Sequence, residues 1–352
     1  MQPFRSGRPW ARRSAGIGAR RARTRREGPS ATTRDEAPPY PPTGAAPAAN
    51  SVIIITVTAG RGPVGVELRL PSPLRELRDD RLAPHGVRLL LKRDDLIHPE
   101  LPGNKWRKLK YNLARAREQG CTTLLAFGGA HSNLIRAVAA AGARFGFATI
   151  GVIRGEEHLP LNPSLAYAAG RGMRLTYLDR STYRHKHTPE VVDRLRREFG
   201  DFYLLPEGGS NDLAVLGCAE IPAEIDEPFD VICSPVGTGG TLAGLAAKLA
   251  PGQRAIGFSV LKGGEFLTAE VERLQRAAYG SGSRNWHIEY GFHFGGYAKR
   301  TPELDAFLAD WASRHGTVLD RIYVAKMMYG ILALTRAGTF PPGTMVVAVV
   351  TG

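Results

Sequence analysis

The stretch DVICSPVGTGGTLAGL, residues 230–245, runs from apolar and β-branched residues through a glycine-rich turn into a helix-forming segment. Such a turn lets the backbone approach an anion closely, and the helix N-terminus that follows points unpaired N–H groups at it. The glycine spacing is not that of a dinucleotide-binding loop, and no Gly-Lys-Ser/Thr sequence of a P-loop follows. We therefore expect a phosphate-binding loop for a smaller cofactor. Taken alone, the stretch also fits an ordinary strand–helix turn.

Short apolar strands and helices alternate on both sides of this stretch. Strands are predicted at residues 123–127, 148–153, 174–178, 230–237, 255–261 and 345–350, and helices at 104–119, 132–142, 163–170, 189–199, 240–249, 302–315 and 324–336. Because the strands are apolar on both faces, the pattern predicts an α/β fold with doubly wound, mostly parallel sheets. The order predicts a large domain of residues 51–110 and 215–352 and a small domain of residues 111–214, with ligands bound between them.

The composition excludes several classes of protein. No apolar run approaches the length of a membrane span, and the longest is VIIITV at residues 52–57. Three cysteines without a CxxC pair argue against a disulfide scaffold or a zinc site and favour a reducing compartment. We expect a cytoplasmic protein with no membrane partner and no metal.

The first fifty residues differ from the rest of the chain. They hold ten arginines against three acidic residues, which is half of the chain's net charge of +14, and they contain few bulky apolar residues. A segment of this composition buries too little surface to offset its ordering entropy. We expect a disordered tail that is dispensable for activity. A mitochondrial transit peptide, translation from an upstream start codon and nucleic-acid binding are alternatives for the tail, whereas the modest charge of the body argues against nucleic acid.

Three further stretches carry residues suited to chemistry. In LPGNKWRKL, residues 101–109, Lys105 leads a predicted helix among other cations, a setting in which an amine loses its proton more easily and becomes nucleophilic. Ser132 and Asn133 follow a glycine turn in FGGAHSN. In LPEGGSN, residues 205–211, a strand-like stretch likewise runs into a glycine turn followed by polar residues. Each has a plainer explanation: a solvated basic turn, helix capping and a loop. Together, an amine able to form a Schiff base and a phosphate-binding loop are the minimal equipment for pyridoxal phosphate.

Six motifs resemble, in their residues and in their order along the chain, those of the family of 1-aminocyclopropane-1-carboxylate (ACC) deaminases and D-cysteine desulfhydrases. These are fold-type-II pyridoxal 5'-phosphate enzymes like the tryptophan synthase β chain. The resemblance runs from about Val66 to Gly352. The motifs are GNKWRKLKYNL (103–113), GGAHSNLIRAVAAAG (128–142), PEGGSN (206–211), GTGGTLAGL (237–245), YVAKMMYGI (323–331) and VVTG (349–352).

The resemblance implies a role for each matching residue. The Schiff-base lysine of the family falls on Lys105. The asparagine that binds the cofactor's ring oxygen falls on Asn133, and the residue that contacts the pyridine nitrogen falls on Thr351. The phosphate-binding loop falls on Gly237, Thr238, Gly239, Gly240 and Thr241. The side chains implied to act in catalysis beside the lysine are Ser132, Tyr297 and Tyr323.

The resemblance and these residues together predict β-elimination from a small amino acid. Thr351 is neutral and does not hold a proton on the pyridine nitrogen as a carboxylate would, which disfavours transamination and leaves elimination of a good leaving group accessible. We expect a homodimeric D-cysteine desulfhydrase that forms pyruvate, sulfide and ammonia. An ACC deaminase and a pyridoxal-phosphate-binding protein without this catalysis are the alternatives. Val324 replaces the glutamate of the deaminases and the threonine of many desulfhydrases, and Leu134 replaces a histidine usual in the family. The missing glutamate favours D-cysteine over ACC.

Overall fold

The computed structural model describes residues 52–59 and 62–351. Their strands are β1 Val52–Ala59, β2 Gly62–Arg69, β3 Leu74–Leu77, β4 Arg88–Lys92, β5 Thr123–Gly128, β6 Ala148–Arg154, β7 Arg174–Leu178, β8 Tyr203–Leu205, β9 Val231–Val236, β10 Arg254–Ser259, β11 Trp286–Glu289 and β12 Met345–Val349. Their α-helices are α1 Asn104–Glu118, α2 Asn133–Phe145, α3 Pro163–Gly170, α4 Arg180–Arg184, α5 Pro189–Phe199, α6 Asp212–Cys218, α7 Gly240–Ala247, α8 Phe266–Tyr279, α9 Pro302–His315 and α10 Val324–Arg336. The predicted tail of residues 1–50 lies outside the described residues.

Two sheets made mostly of parallel strands organise this part of the chain. One has six strands in the order β11-β10-β9-β12-β4-β3, with β3 antiparallel to β4 and the other pairs parallel. The other has four parallel strands in the order β7-β6-β5-β8. The hairpin of β1 and β2 is antiparallel and separate. Parallel neighbours require crossover connections, which the helices supply, so the predicted α/β fold is confirmed.

Strand β9 lies inside the larger sheet and determines where the glycine turn is placed. All six of its residues are buried, as expected for a parallel strand covered on both faces. Val231 pairs with Arg254 of β10 and with Val346 of β12. Because these strands are parallel, the turn after β9 and the segment after β12 leave the sheet at the same edge. That edge is where ligands bind in open α/β sheets.

The predicted elements are all found, and most differences are one to three residues at an end. Helices α3, α5, α9 and α10 have the predicted bounds. α5 begins after Thr188, has Pro189 in its first turn and ends before Gly200, as predicted. Helices α4, α6 and α8 were not predicted. The sequence does contain a pattern that indicates α8, since Leu267, Val271 and Leu274 recur at helical spacing, and all three are buried.

The sheets divide the chain in a simple way. The four-stranded sheet takes its strands from residues 123–205, whereas the larger sheet takes them from residues 74–92 and 231–349. The predicted domain division, 51–110 with 215–352 against 111–214, stays a prediction. Over residues 52–59 and 62–351, none of the helices combines the length and the apolar character needed to cross a bilayer.

Candidate active site

A cavity lies at the carboxyl ends of β9 and β12, where the N-termini of α1, α2 and α7 converge. Its lining contains most of the predicted site residues: Lys105, Ser132, Asn133, Gly237, Thr238, Gly239, Thr241, Tyr323 and Thr351. Gly240 begins α7 just behind the loop. Tyr297 is not in the lining but packs against Tyr323. The chain therefore brings segments more than two hundred residues apart to one place.

Lys105 is the second residue of α1 and lies partly buried in the cavity wall. Gly103 precedes the helix with a φ of 59°, and a Cβ atom there would overlap the carbonyl group of Thr351. This close approach sets the segment after β12 against the start of α1. The Nζ atom of Lys105 donates to Oδ1 of Asn104 at 2.7 Å, and Nδ2 of Asn104 donates to Oγ1 of Thr241 at 2.8 Å.

The ionisation of Lys105 is shifted by its surroundings. Burial is the main cause and the nearby charge of Lys108 adds to it, and together they lower the pKa of Lys105 to about 7. Asp320 opposes the shift because its negative charge favours the ammonium form. At neutral pH a large fraction of Lys105 is therefore the neutral amine, which is the form that attacks a carbonyl carbon.

The turn after β9 forms the side of the cavity that is best suited to bind an anion. Gly239 precedes α7 and provides no side chain to cap the first N–H groups of that helix. A Cβ atom on Gly240 would come within 2.6 Å of Oγ of Ser210, so glycine is needed for this approach. Thr238 and Thr241 add hydroxyl groups, and no carboxylate from the described residues lines the cavity. Unpaired helix N–H groups, hydroxyls and nearby lysines fit the phosphate of pyridoxal phosphate.

Lys108 and Ser210 are site residues that the sequence reasoning missed. The Nζ atom of Lys108 donates to the carbonyl oxygen of Gly208 and to Oγ of Ser210, both at 3.0 Å. Oγ of Ser210 lies 2.7 Å from Oγ1 of Thr238 in the glycine turn. Lys108 lies three residues after Lys105, on the same face of α1, and that spacing was a usable signal. The site therefore holds two lysines, of which Lys108 supports the loop.

Arg107 lies between Lys105 and Lys108 in the sequence, but its side chain makes different contacts from theirs. Its guanidinium pairs with Asp94 at 2.6 Å and with Glu224 at 2.8 Å, and Lys92 also pairs with Glu224 at 2.8 Å. Arg107, Lys92 and Asp94 are almost completely buried. This network joins α1 to β4 and to the turn after α6. It holds the helix that carries Lys105 and does not line the cavity.

Ser132 and Asn133 stand at the start of α2 after β5. Oγ of Ser132 accepts the backbone N–H of Ile135 at 3.4 Å, so the capping interpretation is confirmed for Ser132. Both residues also line the cavity. A capping hydroxyl at the cavity wall is held in one orientation, which suits it to contact a bound ligand.

Tyr297 and Tyr323 pack against each other, and Tyr323 lines the cavity. Their ring centroids are 6.0 Å apart with the planes at 70°, and the Tyr297 hydroxyl donates to the carbonyl oxygen of His131 at 3.4 Å. Burial raises the pKa of both phenols. Both therefore stay protonated at neutral pH and are available as hydrogen-bond or proton donors.

Asp320 presents Tyr323 to the cavity and is a third residue that the sequence reasoning missed. Its carboxylate accepts the backbone N–H of Tyr323 at 2.6 Å and those of Ile322 and Val324 at 3.2 Å. These bonds satisfy free N–H groups at the start of α10. An aspartate just before a predicted helix was the signal that could have found it.

The two departures from the family pattern have different surroundings. Leu134 lines the cavity and is buried. Val324 is 1% exposed and belongs to an apolar core cluster that includes Met327 and Met328. Neither side chain can donate or accept a proton, so an acid or base at this site has to come from other residues, among them Lys105, Lys108 and the phenols.

Comparison with known sequences agrees with a site for pyridoxal phosphate. A model of the family described as "Pyridoxal-phosphate dependent enzyme" matches residues 67–352. A protein of Pyrococcus horikoshii named "Putative 1-aminocyclopropane-1-carboxylate deaminase" is 32% identical over 279 residues, covering 76% of this chain and 83% of the relative. The "Bifunctional D-cysteine desulfhydrase/1-aminocyclopropane-1-carboxylate deaminase, mitochondrial" of Arabidopsis thaliana is 30% identical over 285 residues, covering 75% and 71%. A "D-cysteine desulfhydrase" of Klebsiella pneumoniae is 29% identical over 283 residues, covering 74% and 85%.

Comparison with solved structures gives the same picture. A structure described as an "ACC deaminase homologue" superposes with a TM-score of 0.70 at 29% identity, covering 80% of this chain and 89% of the other. The O-acetylserine dependent cystathionine beta-synthase from Helicobacter pylori shares the fold, with a TM-score of 0.57 at 16% identity and coverage of 80% and 92%.

Proposed function

The chain belongs to the family of pyridoxal-phosphate dependent enzymes with the type II fold, and on that premise we propose that it is a D-cysteine desulfhydrase. The proposed reaction consumes D-cysteine and one water and releases pyruvate, sulfide and ammonia. The observation that carries the proposal is the Lys105 amine, with its pKa lowered to about 7, in a cavity that also holds an anion-binding helix N-terminus.

Bound pyridoxal phosphate supplies an electron sink for the carbon that loses a proton. In the proposal, Lys105 would hold the cofactor covalently, and its amine would take the proton from the α-carbon of the substrate. The turn 237–241 and the N-terminus of α7 hold the phosphate. Ser132 binds the substrate carboxylate, Asn133 the ring oxygen, and Thr351 the pyridine nitrogen.

The phenols are proposed to assist departure of the leaving group. Tyr323 lines the cavity and Tyr297 packs against it. Because both phenols stay protonated at neutral pH, Tyr323 can donate a hydrogen bond to developing charge on sulfur, while Tyr297 acts through its contact with Tyr323. A thiolate is already a stable leaving group, so elimination of sulfide needs less acid catalysis than opening a strained carbon ring.

ACC deamination is the second candidate, and the name of the Pyrococcus horikoshii relative favours it. The side chain of Val324 argues against it, since a valine supplies no acid at the position where the deaminases carry glutamate. Opening the cyclopropane ring would then depend on the phenols alone. A third candidate is cofactor binding without this catalysis, which the lowered pKa of Lys105 fits equally well and which turnover of D-cysteine would exclude.

A single substrate panel tests the proposal. The purified protein, loaded with pyridoxal phosphate, is incubated with D-cysteine, L-cysteine, D-serine and ACC, and keto acid and sulfide are measured. We expect pyruvate and sulfide from D-cysteine at a rate well above that from the other three. Lys105→Ala is the control and should lose turnover. Fast 2-oxobutyrate formation from ACC with D-cysteine inert would replace the proposal by its rival.

We also propose that the protein works as a homodimer in the cytoplasm, with its substrate bound between the large and small domains. Light scattering during gel filtration tests the oligomeric state. A monomer at micromolar concentration would contradict that part of the proposal without touching the chemistry.

A further inference from the structure

Lys326 is a buried cation with no part in the site as described so far. It lies on α10, three residues after Tyr323, and is 0% exposed. Its ammonium donates to the carbonyl oxygens of His293 and Gly296, both at 2.8 Å, and of Val260 at 3.5 Å. An ammonium has three donors, so these three carbonyls satisfy it.

The charge of Lys326 is bound by backbone. Among the described residues, the hydrogen-bond partners of its Nζ atom are carbonyl groups and not carboxylates. Burial lowers the pKa of Lys326 to about 8 and Asp320 opposes the shift, so the side chain is mainly charged at pH 7. A buried charge is costly unless its hydrogen bonds are made. Lys326 therefore binds carbonyl oxygens from two separate segments of the chain, as a small metal cation would.

The segment that Lys326 binds has a strained backbone. Phe294 and Ala298 have φ angles of 50° and 56°, a left-handed conformation that residues with a side chain rarely adopt. Gly295 and Gly296 between them have φ angles of 84° and 116°. A left-handed residue other than glycine is strained and persists only where its surroundings impose it. The bonds from Lys326 fall within this segment and help to impose its shape.

The same segment carries one tyrosine of the pair, and α10 follows the other. Tyr297 comes directly after Gly296, whose carbonyl oxygen Lys326 binds. Tyr323 lies almost one helical turn before Lys326. We infer that Lys326 is a positioning residue, whose ammonium ties residues 293–298 to α10 and so sets Tyr297 against Tyr323. The inference rests on the proposed function for the part that the two tyrosines have in the reaction.

Hydrogen–deuterium exchange of the full-length, cofactor-loaded protein tests the inference. Lys326→Met keeps the length of the side chain and removes its charge and its donors. We expect faster exchange in peptides covering residues 291–300 and unchanged exchange in peptides covering α1. Lys299→Met is the matched control, because Lys299 is an exposed lysine of the same segment. It should leave both regions at the wild-type rate.

Kinetics give a second measurement. With the best amino-acid substrate of the unmodified protein, Lys326→Met should lower kcat on the order of ten- to a hundredfold, since a misplaced reacting group costs about that much. Covalent attachment of the cofactor to Lys105, read from its absorbance, should persist. Lys299→Met should keep the wild-type kcat.

Lys326→Gln covers the case in which Lys326→Met does not fold, because an amide donates two hydrogen bonds without a charge. It should give intermediate exchange over residues 291–300. Wild-type exchange there in either folded variant would overturn the inference. Lack of turnover by the unmodified protein would contradict the proposed function alone, since exchange is read without substrate.

Discussion

The side chain of Asn104 joins the N-termini of two helices. Its Nδ2 atom donates to Oγ1 of Thr241 on α7 at 2.8 Å, and its Oδ1 atom accepts from Nζ of Lys105 at 2.7 Å. One buried amide therefore fixes the distance between the reactive amine and the helix that would hold the cofactor's phosphate. A cofactor that is attached covalently at the amine and ionically at its phosphate requires this distance to stay constant.

Asn104→Ala should weaken cofactor binding more than it weakens the fold. It removes two hydrogen bonds at the cavity, and each is worth about 1 kcal/mol, or about a factor of five in Kd. The measurement is a titration of the apoprotein with pyridoxal phosphate. Asn112→Ala is the control: Asn112 is another buried amide of α1 that binds the Lys108 carbonyl and Tyr203 instead. Equal loss of affinity in both variants would refute a specific role for Asn104.

Borohydride reduction followed by peptide mapping should find the pyridoxyl group on Lys105. Lys108 and Lys326 are two buried lysines that could compete for this assignment, and both donate hydrogen bonds to carbonyl oxygens. A pyridoxyl group on either of these two, or a protein that binds no yellow cofactor, would exclude the assignment of Lys105.

The rate at which the apoprotein takes up pyridoxal should rise with pH through about 7 and level off above it. The reason is that the pKa of Lys105 is lowered to about 7, so its neutral, reactive form increases as pH rises through that value. An unshifted lysine would keep gaining reactivity up to about pH 10.4. Absorbance kinetics between pH 5.5 and 9.5, on the order of one reading per half unit, record the curve.

Lys108→Met supplies the control for this pH dependence. Removing the neighbouring positive charge stabilises the ammonium form of Lys105, so the midpoint should move to higher pH. Pyridoxal without phosphate is the probe, which keeps any contact between Lys108 and phosphate out of the measurement. A midpoint that stays in place would show that Lys108 does not influence the amine.

The glycine turn and the leading lysine of GNKWRKL were predictable because each is encoded locally. The turn after β9 needs glycines next to Ser210, and Lys105 needs a helix N-terminus; both requirements appear as short motifs. Strands buried on both faces are also visible as continuous apolar runs, so the α/β fold followed from the pattern.

The rest of the site depends on segments that meet only in the fold. Lys108 binds residues 208–210 because the fold places that segment beside α1. Lys326 binds residues 293–296 because the fold places that segment beside α10. A carbonyl oxygen as partner leaves no trace in the sequence, since every residue has one. For that reason motif reasoning found the residues expected to contact ligand and missed those that hold them in place.

Arg107→Met should be among the most destabilising single changes that leave the cavity lining intact. Among the described residues, it leaves Asp94 buried with one ion-pair partner fewer and Glu224 with Lys92 as its remaining ion-pair partner. Breaking a buried pair in this way costs about 3–5 kcal/mol. Urea unfolding measures the loss. Arg115→Met on the same helix removes an exposed pair with Glu118 and should cost less than about 1 kcal/mol. Similar losses in the two variants would refute the role given to the network.

Substrate preference is tested at Val324, using two variants of equal size. Val324 is 1% exposed, so either Val324→Glu or Val324→Gln overpacks the core and costs about 1–3 kcal/mol. A carboxyl group in such apolar surroundings has a raised pKa and stays protonated near neutral pH, as a proton donor must. General acid catalysis is worth about two to four powers of ten in rate.

Val324→Glu should therefore form 2-oxobutyrate from ACC faster than the unmodified protein does, while Val324→Gln should not. Sulfide release from D-cysteine should fall to a similar extent in both, because thiolate departs without strong acid help and the packing cost is shared. Tyr323→Phe should slow both reactions, since it removes the phenol that lines the cavity. The measurement is initial keto-acid formation at saturating substrate, with cofactor content determined for each variant. Equal ACC turnover by the Glu and Gln variants would mean that an acid at this position does not reach the ring, and the preference for D-cysteine would then need another cause than Val324.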